Sequence, residues 1–360
     1  MRVLFITRKF PPRLGGMETL SKGLADNLPQ IATTRLFTYG GSQLWLPFVM
    51  FGFWIRMLFA APSVEIVILG DAVLSPLGWF AKKVLRKPVV CLVHGLDLTY
   101  PPTLYQAYLR VFSFGFDAYI CNSRATQKEA RRRGYNPLNI ALPAIDQTEE
   151  IPTQDARRLL TPILHETLPH DAFVLGFLGR ASKRKGLSWF LKNVFPHTPE
   201  HVHLLVAGST PKEEILNLIS DPSLLSRLHV VGRIPDEMQS LFFSSLDLFL
   251  MPNIAVQGDQ EGFGIVAIEA SSHGTPVLAA DLEGIQDAVQ QGQTGWLVTS
   301  EDAGAFGDAI RHLSSPIGAD ELETVRHYCS KNTLQRFSWK KRIMEYQRIL
   351  SPLASSRPQE

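Results

Sequence analysis

The stretch "EGFGIVAIEASSHGTPVLAAD", residues 261–281, combines a glycine loop, a helical pattern and an apolar strand pattern. Gly262 and Gly264 allow the backbone to approach a ligand closely. The letters "IVAIEASSHG" predict a helix that ends at Gly274, with Pro276 just beyond it. The glycine loop therefore lies at a helix N-terminus, where free backbone N–H groups and the helix dipole favour an anion such as phosphate.

Apolar strand patterns alternate with helical patterns on both sides of this stretch. In the first half, a Pro/Gly loop separates the first strand from a helix that begins near Met17, and Ser123 is placed to cap another helix. Near-continuous apolar strands separated by helices predict parallel sheets covered on both faces. The predicted strands are 2–7, 64–70, 88–95 and 118–123 in the first half, and 173–180, 202–209, 228–233, 246–252, 275–281 and 294–298 in the second.

The chain length of 360 residues predicts two domains. The strand pattern weakens between about 146 and 170, where a polar segment with a proline is typical of a linker. The predicted fold class is therefore α/β, with two doubly wound Rossmann-like domains that leave a cleft between them. In such sheets, ligands bind at the carboxyl ends of the strands.

Composition excludes some functional classes. The net charge is only +2, which argues against a nucleic-acid partner. The three cysteines lack metal-ligand spacing, so a reducing cytosol is expected. The apolar run in "MRVLFITRKF" is too short for a signal peptide.

The charge is distributed unevenly between the two halves. Residues 1–145 contain 17 Lys and Arg against 7 Asp and Glu, a net charge of +10, and the rest of the chain has a net charge of −8. This difference predicts two domains with different partners, but an uneven solvated surface explains it equally well.

The stretch "LWLPFVMFGFWIRMLFAAP", residues 44–62, interrupts the strand–helix alternation. Its longest uncharged run is 12 residues, before Arg56. A run of that length is shorter than the roughly 20 residues that span a bilayer. Two interpretations remain open: a core helix of the first domain, or an exposed apolar helix in a membrane interface.

The stretch "GRASKRKG", residues 179–186, follows a predicted strand, so it too belongs at a carboxyl end. Arg180 and Lys185 are the predicted diphosphate ligands, because Arg grips phosphate oxygens bidentately and Lys supplies a point charge. Lys183 and Arg184 are expected at the surface. Fixed cations or a metal ion can offset the charge of a leaving diphosphate. Asp247 is only a weak metal candidate, so a metal-independent site is expected.

Two glutamates flank the glycines of residues 261–281. A carboxylate in the helix, Glu269, is a poor phosphate ligand but a good acceptor for two vicinal hydroxyls, such as those of a ribose. Glu261, before the glycines, suits a second polyhydroxylated group. Phosphate flanked by two such carboxylates indicates a nucleotide-sugar; the alternative is an ordinary strand–turn–helix whose glutamates face solvent.

At this point the chain resembles the retaining glycosyltransferases of family 4, which have the GT-B fold. The first half matches more loosely, through "PPRLGGMETL", a strand ending in "HG", and "CNS" before a helix. The stronger motifs cover roughly 173–298: "EGFGIVAIE" with its two glutamates, "GRASKRKG", "VVGRIPDEMQSLFFSSLDLFLMP" and "HGTPVLAADLEGIQDAVQQGQTGWLV".

The resemblance implies an acceptor-binding domain at 1–160, a nucleotide-sugar-binding domain at 161–335, and a C-terminal helix at 336–360 that crosses back to the first. It implies that Arg180 and Lys185 neutralise the donor diphosphate, Glu269 binds the ribose and Glu261 binds the donor sugar. His94 would touch the donor sugar near the reacting carbon. The remaining implied donor-binding positions are Gly15, Gly16, Gly262, Phe263, Gly264 and Ile265.

The resemblance further implies a hexosyltransferase that keeps the anomeric configuration by a same-face route, with no cofactor or metal and with a donor such as GDP-mannose or a UDP-sugar. The loop from Pro252 to Glu261 is longer than the family's common form and is similar to the branch that contains phosphatidylinositol mannosyltransferases, beside bacterial polysaccharide and glycolipid glycosyltransferases. The usual Pro-Asn-Gly at the end of the first domain is replaced by "LPAID", 142–146, which puts any role there in doubt.

The expected acceptor is a lipid-linked sugar or a glycan at the inner, cytoplasmic face of the cell membrane. The basic first domain and the segment 44–62 predict contact with the membrane surface. The alternative is that 44–62 is core and the bases only solubilise the protein. The basic clusters are Lys82, Lys83, Arg86 and Lys87, and Arg131, Arg132 and Arg133.

Three rival functions fit the sequence less well than glycosyl transfer. A nicotinamide dehydrogenase requires a Gly-x-Gly-x-x-Gly after the first strand, and "RKFPPRLGG" stands there instead. A GT-B sugar-nucleotide epimerase shares the fold but not the continuous match over 228–298. A non-catalytic binding subunit has no reason to keep all four of Arg180, Lys185, Glu261 and Glu269.

Overall fold

The structure is a computed structural model that describes residues 1–13, 15–146, 151–164, 168–219 and 221–355. The chain divides into two compact units. The first comprises Met1–Ile145, Gly258–Phe263 and Phe337–Glu360, and the second comprises Asp146–Gln257 and Gly264–Arg336.

A six-stranded parallel sheet forms the centre of the first unit, in the order β2-β1-β3-β4-β5-β6. Its strands are β1 (Arg2–Thr7), β2 (Thr33–Thr38), β3 (Ile66–Leu69), β4 (Val89–Val93), β5 (Ala118–Cys121) and β6 (Leu138–Ile140). The register aligns Val3 with Ile66 and Val67 with Val89.

Seven helices belong to the described part of the first unit. They are α1 (Gly16–Asn27), α2 (Leu46–Ala60), α3 (Ser75–Lys83), α4 (Gly95–Thr99), α5 (Thr103–Phe112), α6 (Arg124–Arg132) and α15 (Trp339–Ser355). The Ser123 side chain accepts a hydrogen bond from Thr126 N, which confirms the predicted cap of α6.

Both faces of this first sheet are buried. Successive side chains of a strand point to opposite faces, and β1 accordingly sends Leu4 and Ile6 into one apolar cluster and Val3 and Phe5 into another. The second cluster includes side chains of α15, such as Trp339. The C-terminal helix therefore packs as part of the first unit.

The second unit also has a six-stranded parallel sheet, in the order β12-β11-β10-β7-β8-β9. Its strands are β7 (Phe173–Leu178), β8 (Val202–Ala207), β9 (Leu228–Gly232), β10 (Leu248–Met251), β11 (Val277–Ala280) and β12 (Gly295–Val298). Its helices are α7 (Thr153–Leu164), α8 (Leu187–Asn193), α9 (Lys212–Leu216), α10 (Gln239–Ser244), α11 (Ile265–Ser272), α12 (Ile285–Ala288), α13 (Ala303–Leu313) and α14 (Ala319–Phe337).

The two parallel sheets confirm the predicted α/β class with two Rossmann-like units. All six strands predicted in the second half are present, but the first half has two more than the four predicted, β2 and β6. The stretch that was predicted to be a linker contains helix α7. Arg157 of this helix donates a hydrogen bond to the Asp247 carboxylate. Residues 147–150 and 165–167 of that stretch lie outside the described residues.

The N-terminal segment of the first unit ends at Ile145, whereas the sequence pattern predicts a boundary at residue 160. The reason is α7, which packs on α10 and β9 of the second unit. The segment Gly258–Phe263, which the sequence division assigned to the second domain, belongs to the first unit. Glu261 is therefore a residue of the first unit.

Candidate active site

The strand order of the second unit defines where a ligand is expected. Taken from β9, the order is β9-β8-β7-β10-β11-β12, which is the Rossmann order 3-2-1-4-5-6. The order reverses between β7 and β10, and open α/β sheets bind their ligands beyond the carboxyl ends of the strands at this switch point. The two motifs singled out from the sequence follow these two strands.

The loop after β7 is held at this edge of the sheet. It carries Arg180, which is exposed, and Lys185, which is partly buried. Gly186 ends the loop at φ +70°, and a Cβ there would lie 1.7 Å from the carbonyl oxygen of Pro252, the residue after β10. The glycine thus allows the basic loop to pack against the end of the neighbouring strand.

Helix α11 begins beside the end of β10. Gly264 precedes it at φ +82°, and a Cβ there would lie 3.0 Å from Met251 Cε, in the last residue of β10. Ile265 is the first residue of the helix, and Glu269 lies in its second turn, partly buried. The second unit therefore brings the predicted diphosphate ligands and the glycine-led helix to neighbouring strand ends.

Glu261, Gly262 and Phe263 are placed in the first unit instead. A Cβ on Gly262 would lie 2.9 Å from Asn122 Nδ2, and a Cβ on Gly95 would lie 3.1 Å from Gly262 Cα. Glu261 is buried, and the Phe263 ring packs against Phe337 with ring centroids 5.7 Å apart. Only the backbone of Phe263 is thus available to a ligand.

Asn122 is a candidate functional residue that the sequence motifs did not predict. It follows β5, is 9% exposed, and lies beside the glycine contact between Gly262 and Gly95. No donor within the described residues bonds its Oδ1. A buried amide oxygen without a partner is costly, so this atom is suited to accept a hydrogen bond from a ligand. The only sequence signal was its place at a strand end, in "CNS".

His94 follows β4 and caps α4. Its Nε2 is 3.1 Å from the carbonyl oxygen of Gly70, so Nε2 carries the proton, because a carbonyl only accepts. The backbone N–H of Asp97 donates to the backbone carbonyl oxygen of His94 at 3.1 Å. The Nε2 atom of the ring is therefore occupied within the first unit, and the predicted contact of His94 with a donor sugar stays a prediction.

A cluster of charged side chains, Arg8, Asp71 and Asp97, lies at the start of α4. Asp97 accepts hydrogen bonds from the backbone N–H of His94 at 3.3 Å and of Ala72 at 3.5 Å. Arg8 Nε lies 2.8 Å from Asp71 Oδ2. Burial, together with the negative charge of Asp71, raises the pKa of the Asp97 carboxyl to about 6, although His94 and Arg8 oppose the shift.

The raised pKa of Asp97 predicts a pH-dependent stability. The folded protein holds a proton on Asp97 that the unfolded chain releases near pH 4, so this contribution to the free energy of unfolding falls as pH rises from about 4 to about 6. The variant Asp97→Asn has no carboxyl group to titrate at this position. Between about pH 4 and about pH 6, its free energy of unfolding should therefore rise relative to that of the wild type by about 1–3 kcal/mol. Urea unfolding at several pH values measures the difference.

The exposed Asp171 provides a control for the Asp97 experiment. Asp171→Asn should follow the wild-type profile at every pH, because Asp171 lies at the surface. A free-energy difference between wild type and Asp97→Asn that does not change with pH would show that Asp97 is not the titrating group.

Gly15 and Gly16 lie at the start of α1, and Leu14 before them lies outside the described residues. A Cβ on Gly15 would lie 2.8 Å from Glu18 Oε2. The absence of a side chain at Gly15 therefore makes room for the buried Glu18 carboxylate. The predicted approach of these glycines to a diphosphate stays a prediction.

Asp247, the weak metal candidate, has a structural partner. Its carboxylate lies 2.5 Å from Arg157 and accepts the backbone N–H of Val174. Within the described residues, no group of three or more His, Cys, Asp or Glu side chains is arranged to hold a metal ion.

The chain has two Rossmann-like units, and the second carries the basic loop and the glycine-led helix at its switch point. This architecture defines a protein of the GT-B fold class. Residues 1–147 match the sequence model of Glycosyltransferase Family 4, and residues 172–315 match that of Glycosyl transferases group 1. These matches together cover most of the chain, which carries a Glycosyltransferase Family 4 domain followed by a Glycosyl transferases group 1 domain.

Curated relatives agree with this assignment. A D-inositol 3-phosphate glycosyltransferase of Corynebacterium urealyticum is 30% identical over 58% of the chain and 49% of its own length. The chain spans less than half the length of the relatives that match it at 30% identity. A GDP-mannose-dependent alpha-(1-6)-phosphatidylinositol monomannoside mannosyltransferase of Mycolicibacterium smegmatis is 25% identical over 97% of the chain and 98% of its own length.

A solved structure shows the same fold. HepE of Anabaena, in complex with UDP and glucose, aligns over 98% of this chain and 100% of its own, with a TM-score of 0.78 and 19% identity.

Proposed function

We propose that the protein is a retaining hexosyltransferase. It moves a sugar from a nucleotide-sugar, such as GDP-mannose or a UDP-sugar, to a hydroxyl of a lipid-linked or glycan acceptor in cell-envelope polysaccharide or glycolipid synthesis. The observation that carries this proposal is the pair of motifs at the switch point between β7 and β10. The Mycolicibacterium relative, named for GDP-mannose and phosphatidylinositol monomannoside, supports the donor class and a lipid acceptor.

The proposed reaction needs charge stabilisation more than acid–base chemistry. The bond between the anomeric carbon and the diphosphate oxygen breaks, and the acceptor oxygen bonds that carbon on the same face. The acceptor proton passes to the departing diphosphate. Arg180 and Lys185 offset the developing negative charge without a metal ion, since fixed cations lose no energy to reorganisation. Glu269 binds the ribose hydroxyls, and Glu261 binds the sugar.

A thermal-shift screen with UDP-, GDP- and ADP-sugars tests the donor class. A ligand that binds only the folded state at 100 times its Kd stabilises it by about 2.7 kcal/mol. We expect one donor series to raise the Tm by a few degrees, with EDTA present. If no donor raises the Tm, the proposed function is wrong; if the shift needs Mg²⁺ or Mn²⁺, the fixed-cation assignment is wrong.

The apolar helix α2 supports a membrane-surface location. Phe53 and Met57 pack into the core of the first unit, and the Phe37 and Phe53 rings stack with centroids 5.6 Å apart. The other faces of the segment are open, and its exposed large side chains are Leu44, Trp45, Phe48, Phe51, Ile55, Leu58 and Phe59. This pattern favours the interfacial interpretation over the core one.

By length and composition alone, the segment Gln43–Ser63 is able to cross a membrane, and 22% of its apolar stretch is buried. Phe53 and Met57 are anchored in the first unit, and Arg56 lies 4.1 Å from the centre of the Phe37 ring. We therefore propose that α2 lies in the plane of the interface, with its exposed side chains in the lipid.

The structure corrects the predicted basic clusters. Lys87 is 8% exposed and donates to the carbonyl oxygen of Val64, so it cannot reach a membrane. Lys82 is paired with Asp117 at 2.5 Å. Lys83 and Arg86 remain exposed in the first cluster.

The second basic cluster, Arg131–Arg133, is partly neutralised. Glu129 pairs with Arg132 at 2.7 Å and with Arg133 at 2.6 Å. Arg131 remains exposed. We propose that the remaining positive charge directs the first unit to the anionic cytoplasmic leaflet. Cys91, Cys121 and Cys329 are buried, which is compatible with that reducing compartment.

Liposome flotation tests the membrane proposal. The wild-type protein should float with anionic liposomes at low salt and less at high salt. Changing Phe48, Phe51 and Phe59 to Gln should reduce binding at least tenfold, because burying one Phe side chain contributes about 1.5–3 kcal/mol.

The second unit offers matched controls for flotation. Leu159, Leu225 and Ile317 are exposed apolar residues outside the first unit, and their change to Gln should leave flotation unaltered. If the wild-type protein stays in the soluble fraction at low salt, the membrane proposal is wrong.

A further inference from the structure

A pocket lies between α5, α6 and the segment after α4 in the first unit, with a volume of about 500 Å³. Three arginines line it, Arg110, Arg132 and Arg133, and its described lining contains no acidic residue. Leu109 and Tyr135, both almost fully buried, form part of its apolar lining. None of the roles proposed above uses this pocket.

The arginines keep hydrogen-bonding capacity for a ligand. Arg132 gives its Nε and one terminal nitrogen to Glu129. Arg133 gives its Nε to Glu129 and one terminal nitrogen to Gln106. Each therefore retains a further terminal nitrogen, and Arg110 has no hydrogen-bond partner among the described residues. Glu129 cancels only one of the three positive charges.

Three guanidinium groups around one pocket match a phosphoryl or diphosphoryl group. Guanidinium forks bind phosphate oxygens bidentately and are always charged. A carboxylate ligand would satisfy fewer donors, and a neutral sugar would leave the positive charges unbalanced.

The residues around the pocket favour a phosphate that is part of a lipid. α5 carries the exposed apolar residues Leu104 and Val111 beside the pocket-lining Arg110. α3, which contacts both α2 and α5, adds the exposed Trp79. α3 thus lies between α2, which carries the side chains proposed to meet the membrane, and α5, which forms one wall of the pocket.

The pocket also adjoins the segment that carries Glu261. Thr99 and Pro101 line it, and a Cβ on Gly258 would lie 3.1 Å from Pro101 Cδ and 3.3 Å from the carbonyl oxygen of Thr99. From there the segment runs to Gly262, which lies against Gly95. A group bound in the pocket therefore lies close to the start of the segment Gly258–Phe263, which carries Glu261.

We propose that this pocket binds the phosphoryl group of the lipid-linked acceptor, and so positions the acceptor at the membrane surface. The identification of the bound molecule as the acceptor rests on the proposed function. The assignment of the pocket as a phosphoryl site does not. The pocket explains why α5 combines exposed apolar side chains with an arginine. It also gives the first unit a specific ligand in addition to general charge attraction.

Pyrophosphate binding, measured by calorimetry, tests the phosphoryl site. The pocket variant is Arg110→Gln with Arg132→Gln, both at exposed positions, which limits the effect on folding. The control variant is Lys128→Gln with Arg131→Gln, which removes the same charge from exposed positions of α6 that do not line the pocket. Both are made on an Arg180→Ala, Lys185→Ala background, so that the proposed donor site does not contribute.

We expect the pocket variant to bind pyrophosphate at least tenfold more weakly than the background protein, and the control variant to bind within twofold of it. Equal binding by the two variants would overturn the phosphoryl site. Donor binding is measured separately on wild-type protein, so loss of the proposed function leaves this result unchanged.

Vesicles distinguish a lipid phosphate from a free one. Phosphatidylcholine vesicles containing phosphatidic acid are compared with vesicles containing oleate at the same surface charge. The protein with an intact pocket should prefer phosphatidic acid at least fivefold, and the pocket variant should lose that preference. Pyrophosphate binding without a lipid preference would overturn the lipid source and assign the pocket to a soluble phosphate.

Discussion

Replacing Arg180 or Lys185 with alanine is expected to lower kcat/KM by about 100- to 1,000-fold, the usual loss when one fixed group that stabilises developing charge is removed. Both residues lie in the loop after β7, at the switch point of the second sheet. The negative charge on the diphosphate grows as the bond to the sugar breaks. The loss should therefore appear mainly in kcat, with a smaller change in KM.

Lys183 provides the matched control for this experiment. It lies in the same short helical turn as Lys185 and is exposed. Lys183→Ala should keep at least half of the wild-type kcat/KM. Equal losses for Lys183→Ala and Lys185→Ala would mean that the loop acts only through its general charge. Thermal unfolding of each variant shows whether the loop beside Gly186 is still folded.

Glu269→Ala is expected to weaken donor binding by about 2–4 kcal/mol, the range for losing charged hydrogen bonds in a buried site. Glu269 is partly buried in the second turn of α11, beside the end of β10. If its carboxylate holds two ribose hydroxyls, the wild type should discriminate strongly against a 2′-deoxy donor. The variant should discriminate little, since the partner of the missing hydroxyl is gone.

A double-mutant cycle makes the Glu269 assignment specific. The four measurements combine wild type and Glu269→Ala with the natural and the 2′-deoxy donor, and the coupling energy reports the contact itself. Glu269→Gln, which keeps the shape and one carbonyl acceptor, should fall between wild type and alanine. Equal discrimination by wild type and Glu269→Ala would place the ribose away from Glu269.

The sheets illustrate what a sequence pattern predicts well. Four strands of the second unit were predictable because they are almost entirely buried apolar runs. The edge strands β9 and β12 are only partly buried, but their sequences are also mostly apolar. In the first unit, β2 and β6 escaped prediction. Both are edge strands: β2 is a polar sequence with only Phe37 fully buried, and β6 has three residues. A short or polar edge strand such as β6 or β2 is stabilised largely by its neighbour's backbone, which leaves little trace in its own side chains.

Helix α7 was missed for a different reason. Two prolines, Pro152 and Pro162, stand near its ends, and the surrounding residues are polar, as in a linker. The helical signal was nevertheless present, since Ala156 and Leu160 are four residues apart and buried. The ion pair between Arg157 and Asp247 joins residues far apart in sequence, and no local pattern predicts it.

The candidate site shows the same limit. The sequence placed Glu261 and Glu269 in one motif, yet they belong to different units. This division depends on the packing of Gly262 against Gly95 and of Phe263 against Phe337, contacts between distant parts of the chain. Local spacing identified the residue types, but long-range packing decides which unit holds each one.

Transfer of a sugar by the purified chain tests the central proposal most directly. The protein is incubated with the nucleotide-sugar that raises its Tm, with a lipid-linked acceptor in vesicles, and with EDTA. NMR of the anomeric proton then follows the product. We expect a glycosylated lipid with the same anomeric configuration as the donor, formed in the presence of EDTA and lost in Lys185→Ala. A product of inverted configuration, or binding of the donor without any transfer or hydrolysis, would contradict the proposal of a retaining glycosyltransferase.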